Sequence, residues 1–341
     1  MFRRGSNARG AAALVIAMAL ALALAGCGKK DGGAGTAGNA ASGAAAGGAA
    51  PAAKSGATIG VTLLTRTHPF YQDLEAGLRA AADEHGYRLN VQAGEFDPTR
   101  QKDQIEDFIV RKVAAIVVCP CDSKSVGTSI EAANQAGIPV FTADIACLAP
   151  GAKVVCHVAS DNEAGGRLAA RAMVRALNEH GNVAIIDQPE VESVIARVHG
   201  FEAELADKPG VRIVAKLTGH GVKDRAFATT EDVLQAHRDL DGIFGINDDS
   251  ALGALAAVEK AGRQGRITIV GFDAVPEARA AIRDGKITAD VVQQPRLIGR
   301  QTIEAIAQYM AGEQVPPQIL IPCSLFTQAE AQGAASDAAG K

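Results

Sequence analysis

Residues 58–93 read TIGVTLLTRTHPFYQDLEAGLRAAADEHGYRLNVQA. The stretch begins with a run rich in β-branched residues at 58–64, and Pro69 then opens a helical pattern that ends at Gly86. A second apolar run follows at 88–93. Short apolar strands that alternate with helices are typical of parallel sheets covered by helices on both faces. The stretch therefore predicts an α/β fold.

The same alternation continues along the chain. Further strands are predicted at 114–119, 138–143, 154–159, 183–187, 211–217, 242–246 and 267–272. Helices are predicted at 98–110, 125–136, 161–179, 193–206, 226–237, 248–261 and 276–284. Asp161 and Asp248 are of the residue type that caps helix N-termini. The pattern predicts two doubly wound parallel-sheet units of similar size.

The N-terminus has the features of an export signal. Arg3, Arg4 and Arg9 precede an apolar run at 11–25, which is shorter than the roughly 20 residues of a membrane-spanning helix. Leu24-Ala25-Gly26-Cys27 resembles the bacterial lipobox, whose cysteine is acylated; an ordinary signal peptide with a chance cysteine is the alternative. We expect a lipoprotein signal peptide at 1–26 and a protein anchored through Cys27 in the periplasm or on the outer face of the cell membrane.

Composition separates the anchor from the folded part. The segment 27–56 is almost all Ala and Gly after its first residues, which predicts a flexible tether, and a disordered tail is expected at 332–341. The net charge of −4 and the lack of a basic stripe give no support to nucleic-acid binding. No phosphate-binding glycine loop and no supported catalytic triad are found, so we expect a binding protein that is neither an enzyme nor dependent on a cofactor.

Five cysteines follow Cys27, so at least one is expected to remain outside an intrachain disulfide. Cys147 and Cys156 flank a short loop containing Pro150 and Gly151 and are candidates for a disulfide, because exported proteins permit them. Buried, unreactive thiols are the alternative for these cysteines and for Cys119, Cys121 and Cys323.

Polar residues follow the predicted strands. In open α/β sheets the ligand crevice lies beyond the carboxyl ends of the strands. The segments found there are 65–71, 120–122, Asp144, 188–197, 220–221, 247–248, Asp273 and 293–295. They combine donors, acceptors and aromatic rings, which is the mixture that a ring of hydroxyl groups requires.

The part of the chain that carries these residues resembles the ribose-binding-protein branch of the periplasmic sugar-binding proteins. The resemblance extends from Ile59 to about Thr327. It is carried by THPFY at 67–71, ANQAGIPV at 133–140, ASDNEAGG at 159–166, NDDSALGA at 247–254, VGFD at 270–273 and DGK at 284–286. It implies two lobes joined by three crossovers near 160–161, 293–294 and 322–323, with the N-terminal lobe at 57–160 plus 294–322 and the C-terminal lobe at 161–293 plus 323–331.

The resemblance also implies a set of ligand-binding residues: His68, Phe70, Tyr71, Asp144, Arg197, Asn247, Asp273 and Gln293. Several of these assignments have alternatives: Asp273 could cap a turn, Arg197 could be a surface arginine, and Phe70 or Tyr71 could be a core residue of the first helix. Thr67 or Arg66 could face the cleft in place of His68, and we assign helix capping to Asp248 and ligand contact to Asn247. The implied partners are a small sugar, a membrane permease with a cytoplasmic ATPase, and the membrane through the lipid anchor; we expect a monomer.

Two positions depart from the ribose binders. Those proteins have an arginine after the aspartate that Asp144 matches, whereas this chain has Ile145. They also place an aromatic ring from the second lobe on the ligand, in the region where this chain has His220 and Gly221. A site that hydrogen-bonds particular hydroxyls discriminates strongly, so we expect another pentose, a hexose or a polyol. A sugar sensor for a chemoreceptor or histidine kinase is the alternative role.

Overall fold

A computed structural model describes residues 56–332. The predicted signal peptide, Cys27 and nearly all of the predicted tether and tail lie outside the described residues. The elements are, in chain order, β1 (Thr58–Leu63), α1 (Pro69–Glu84), β2 (Arg88–Ala93), α2 (Pro98–Val110), β3 (Ala115–Val118), α3 (Gly127–Gln135), β4 (Val140–Ala143), β5 (His157–Ser160), α4 (Asn162–Ala176), β6 (Gly181–Asp187), α5 (Glu192–Leu205), β7 (Val211–Thr218), α6 (Lys223–Ala236), β8 (Gly242–Gly245), α7 (Asp248–Lys260), β9 (Thr268–Asp273), α8 (Pro276–Arg283), β10 (Ala289–Val292), α9 (Pro295–Met310), β11 (Gln318–Ile321) and β12 (Ser324–Thr327).

The strands form two six-stranded sheets. The first has the order β11-β5-β4-β3-β1-β2, and all of its strand pairs are parallel. The second has the order β12-β10-β9-β8-β6-β7, in which only β12 is antiparallel to its neighbour. We call the first sheet with its helices the N-terminal lobe and the second the C-terminal lobe. The predicted α/β fold class is confirmed.

Three connections cross between the lobes. The chain leaves β5 of the first sheet for α4 and the second sheet, and it returns after β10 through Gln293 and Gln294. It crosses again between β11 and β12 at Pro322 and Cys323. All three connections lie where the family resemblance implies crossovers. They lie next to one another, since the Asp161 amide donates to the Ile321 carbonyl at 2.9 Å and Nε2 of Gln294 donates to the Pro322 carbonyl at 3.2 Å.

Close helix packing covers the sheets. Glycines make it possible where α4 meets α5, since a Cβ on Gly166 would overlap the carbonyl oxygen of Arg197 and one on Gly200 would overlap that of Glu163. The largest apolar cluster includes residues of both lobes: Phe70 and Ile145 from the N-terminal lobe belong to it together with Val191 from the C-terminal lobe. Apolar contact therefore continues across the cleft.

Three sequence interpretations were wrong or incomplete. The patterns assigned no element to β10, α9, β11 and β12. Asp248 is not the cap of α7: Asn247 caps it, because its Oδ1 accepts from the Ser250 amide at 2.9 Å. Cys147 and Cys156 do not form a disulfide, and within 56–332 every cysteine is a free thiol. Asp161 does cap α4, as predicted.

No helix in the described part of the chain is long and apolar enough to span a membrane.

Candidate functional site

A cavity opens between the lobes at the carboxyl ends of the strands. It holds about 430 Å³ of space free of protein atoms, part of it continuous with solvent. All eight predicted site residues line it. The N-terminal lobe supplies His68, Phe70, Tyr71 and Asp144, and the C-terminal lobe with its crossover supplies Arg197, Asn247, Asp273 and Gln293.

His68 faces the cavity from the start of α1. It is the N-cap of that helix, and its Nδ1 accepts from the Phe70 amide at 3.2 Å. Since Nδ1 accepts, the neutral ring carries its proton on Nε2, which is therefore a donor. Nε2 lies 3.5 Å from Oδ2 of Asp273 and has no hydrogen-bond partner. A buried donor is thus aimed across the cleft. The alternatives Thr67 and Arg66 do not line the cavity.

Tyr71 and Asp144 form a buried pair. The Tyr71 hydroxyl donates to Oδ2 of Asp144 at 2.7 Å, and the Tyr71 ring meets that of Phe70 edge to face at 5.1 Å between centroids. Burial, followed by the Asp144 charge, raises the pKa of Tyr71, so its proton stays in place as a donor. Oδ1 of Asp144 has no hydrogen-bond partner.

Asp144 sits in an unusual environment for a carboxyl. Burial raises its pKa to about 7, although the Arg197 charge and the Tyr71 hydroxyl act in the opposite direction. Its backbone has a φ of 65°, a left-handed conformation that Asp and Asn tolerate better than other side chains do. The loop after β4 thus holds a carboxyl that is ready to exchange its proton near neutral pH.

Arg197 is fixed from several sides. Its Nε donates to Oδ1 of Asn162 at 2.8 Å and its Nη1 donates to the Ile246 carbonyl at 2.9 Å. The guanidinium lies 3.9 Å from the centroid of the Phe272 ring. Nη1 is also 3.9 Å from Oδ1 of Asp273. The side chain is 4% exposed, so these contacts hold a cation in place at the cavity wall.

Asp273 is the carboxylate of the C-terminal lobe. Its Oδ1 accepts from Nε2 of Gln293 at 2.6 Å, which leaves the Gln293 Oε1 as a buried acceptor without a partner. Asp273 has a φ of 119° and Ala274 a φ of 58°. Such backbone strain at non-glycine residues costs about 1–3 kcal/mol each and persists only where the surroundings hold it. Asn247 lines the cavity beside them, but its amide nitrogen already donates to the Gly221 carbonyl at 3.1 Å.

The lobes also touch directly through the loops that follow β3 and β6. Ser123 of the N-terminal lobe donates its amide to the Glu190 carbonyl at 3.0 Å and accepts from the Glu192 amide with its hydroxyl at 2.8 Å. The structure therefore has the lobes closed over the cavity.

Other lining residues were not predicted individually. Gln188, Val191, Ser193 and Val194 follow β6, and Leu64, Thr65 and Phe96 follow β1 and β2. The strand-end rule pointed to most of these segments without selecting residues in them. No local sequence pattern indicates the contact by which Asn162 orients Arg197. In 56–332 no cluster of His, Cys, Asp and Glu has the arrangement of a metal site.

Comparisons with known proteins agree with the two-lobed fold. A family model described as "Periplasmic binding protein domain" matches residues 59–314. The ribose import binding protein of Bacillus subtilis is 34% identical over 272 residues, which cover 80% of this chain and 87% of that protein. The D-apiose import binding protein of Paraburkholderia graminis is 30% identical over 276 residues, covering 80% and 88%. A periplasmic solute-binding protein of an ABC transporter from Actinobacillus succinogenes, solved with D-allose bound, has a TM-score of 0.75 and 27% identity, and covers 81% of this chain and 99% of its own.

Proposed function

The chain belongs to the periplasmic binding protein family, and from this we propose that it captures a small sugar between its lobes and delivers it to an ABC permease. The relatives are named as import binding proteins for sugars, not as enzymes. The role of this chain is accordingly to bind its ligand reversibly and leave it chemically unchanged.

One observation carries the proposal. Three buried polar atoms without hydrogen-bond partners line the same cavity: Nε2 of His68, Oδ1 of Asp144 and Oε1 of Gln293. Leaving a buried polar group unpaired costs about 1–3 kcal/mol. A ligand that offers several hydroxyl groups satisfies all three atoms, because two hydroxyls can each donate to one of the oxygens and a hydroxyl oxygen can accept from the imidazole N–H. The rings of Phe70 and Tyr71 provide apolar surface for the C–H side of such a ligand.

Binding of a ligand in this cavity favours the closed conformation of the two lobes. Donors and acceptors come from both lobes, so a bound sugar contacts more of them when the lobes are closed than when they are open. A ligand shifts a conformational equilibrium only through such a difference in affinity. The three crossovers lie next to one another and can act as the hinge. The permease would then recognise the closed form.

The walls of the cavity argue for a ligand other than ribose. Ile145, which is 1% exposed, stands where ribose binders have an arginine, and Val191 and Val194 are buried in the same wall. Gly221 lines the cavity where those proteins place an aromatic ring. A pentose other than ribose, a hexose or a polyol is the proposed ligand class, and the names of the relatives show that the family accommodates such variety.

A ligand screen tests the proposal. Pentoses, hexoses and polyols are added one at a time, and unfolding is followed by thermal shift and then by calorimetry. At a ligand concentration of about 100 times Kd the stabilisation should reach about 2.7 kcal/mol. Asp144→Asn should reduce it, whereas Asp122→Asn, in the loop after β3 but outside the cavity lining, should not. A panel with no stabilising compound would refute the function, and ribose as the tightest ligand would refute the argument from Ile145.

We further propose that Cys27 is acylated and that residues 27–56 tether the binding domain to the membrane. The lipobox-like sequence and the Ala/Gly composition support this. The wild-type protein should partition into detergent after export, and Cys27→Ser should remain in the aqueous phase. Equal partitioning of the two proteins would contradict the anchor. Sedimentation of the Cys27→Ser protein, expected as a monomer, tests the oligomeric state.

A further inference from the structure

A pair of carboxyl groups lies directly beneath the sugar site. Asp248 is the first residue of α7 and Asp290 lies in β10; both are fully buried, and Oδ1 of Asp248 and both carboxyl oxygens of Asp290 have no hydrogen-bond partner. Gly271 of β9 makes room for them, since a Cβ there would come within 2.9 Å of Oδ2 of Asp290 and 3.0 Å of Oδ1 of Asp248. None of the residues predicted to bind sugar belongs to the pair.

The charged groups around the pair are mostly acidic. Asp273 from β9 acts on both carboxyls, and Asp249 is the neighbouring acid on α7. The cation that faces the pair is Arg279 from α8. The neighbouring strands β8 and β12 contain no charged residue. Burial and then mutual repulsion raise the pKa of Asp248, and burial raises that of Asp290 to about 7. Two such groups retain a proton between them at neutral pH.

The pair holds the loop that carries Asp273. Oδ2 of Asp248 accepts from the Val275 amide at 2.6 Å, and the Ala274 amide lies beside the Asp290 carboxyl. The carbonyl of Ala274 in turn accepts from Nε of Arg279 at 2.7 Å. The strained backbone at Asp273 and Ala274 requires such support.

We propose that Asp248 and Asp290 share one proton, and that this proton positions Asp273 in the sugar site so that its loss weakens sugar binding. The inference rests on the proposed function, because the pair reaches the sugar only through Asp273. Asp248 and Asp290 are positioning residues.

The proton determines how close together the two carboxyl groups remain. When it is present, one carboxyl donates to the other and Asp248 keeps its second oxygen on the Val275 amide. When it is absent, two adjacent negative charges have no donor between them and repel each other. Their separation pulls Asp248 away from the loop, and the backbone at 273–274 relaxes from its strained conformation. Asp273 then loses its position against Gln293 and His68.

Asp290→Asn provides the test, because its amide donates to Asp248 in place of the shared proton and does not titrate. Affinity for the best sugar of the screen is measured by calorimetry from about pH 6 to about pH 9. We expect the wild type to lose about tenfold more affinity over this range than Asp290→Asn does. Glu277→Gln, which removes an exposed acid near the same loop, should follow the wild type. Titration of Asp144 affects all three proteins alike and cancels in the comparison.

A second measurement needs no sugar. Because the folded pair binds a proton that the unfolded chain releases, the contribution of the pair to wild-type stability falls as pH rises from the unfolded pKa of about 4 through the folded values. In urea denaturation, the free energy of unfolding of Asp290→Asn should fall less steeply with pH than that of the wild type. Asp248→Asn, which replaces the other carboxyl of the pair, should behave in the same way. Parallel curves, or equal loss of affinity with pH, would overturn the inference. If no sugar binds the wild type, the proposed function fails, and the stability curves still decide whether the pair holds a proton.

Discussion

Replacing Asp144 by Asn should make the sugar-free protein more stable at high pH while weakening its affinity for sugar. The substitution keeps the oxygen that accepts from Tyr71 and suits the left-handed backbone at φ 65°. It replaces the other carboxyl oxygen, an acceptor, by an amide NH2 group and removes the ability of the side chain to become a buried anion. Stability and function therefore oppose each other at this residue.

The magnitude follows from the shift in pKa. Burial raises the pKa of Asp144 to about 7, and the unfolded value is about 3.9. This gap of about 3 pH units corresponds to about 4 kcal/mol of native-state stability lost as pH rises from about 4 to above 7. The variant escapes this loss. Because Arg197 also loses a neighbouring negative charge in the variant, about 4 kcal/mol is a ceiling for the gain. Loss of the charged acceptor should weaken sugar binding by about 1–3 kcal/mol.

Urea denaturation at a series of pH values measures the first effect and calorimetry the second. The stability difference between variant and wild type should be small near pH 4 and grow with pH until about pH 7. Asp122→Asn is a control whose effect on stability should change with pH in the opposite direction. The pKa of Asp122 is lowered because, against the effect of partial burial, the amides of Ser125 and Lys124 donate to its carboxylate. A stability difference for Asp144→Asn that does not change with pH would refute the reasoning.

Three further predictions concern stability and reactivity. Gly166→Ala should destabilise the protein by about 1–3 kcal/mol in urea denaturation, because its methyl group overlaps the carbonyl oxygen of Arg197; unchanged stability would show that α4 and α5 can move apart freely. Asp97→Ala should cost about 0.5–2 kcal/mol, because two amides at the start of α2 lose their acceptor; a neutral effect would mean that water replaces the cap. Burial raises the pKa of Cys121 to about 12 and that of Cys156 to about 11, so these two thiols should react slowly with a disulfide reagent at about pH 8 and rapidly after unfolding; fast reaction of Cys121 or Cys156 in the native protein, identified by peptide mapping, would contradict their burial.

Much of the fold follows from local patterns. The unit β1-α1-β2 could be predicted almost to the residue, because each element has an uninterrupted apolar or amphipathic pattern and Gly86 marks a turn. The four-residue strands β10, β11 and β12 could not. Asp290 interrupts the apolar run of β10, and β11 and β12 are partly exposed strands at the edges of their sheets. Their pairing comes from tertiary contacts that a local pattern does not contain.

The site was predictable to the extent that it follows strand ends. That rule and the family resemblance selected eight residues, and all eight line one cavity. They could not decide which of two adjacent capping residues, Asn247 or Asp248, begins α7, since this depends on the extended backbone of Asn247. They also gave no indication of Asn162 behind Arg197 or of Asp290 behind Asp248. Both contacts join residues far apart in sequence.

Calorimetric titration of the protein with pentoses, hexoses and polyols tests the central claim most directly. The account predicts that at least one compound binds saturably with one site per chain and a Kd of about 1 µM or tighter, equivalent to about −8 kcal/mol. It also predicts that Asp144→Asn weakens this binding while the chain stays folded. Absence of binding by every compound of the panel to a folded protein would contradict the claim that this cavity is a sugar site.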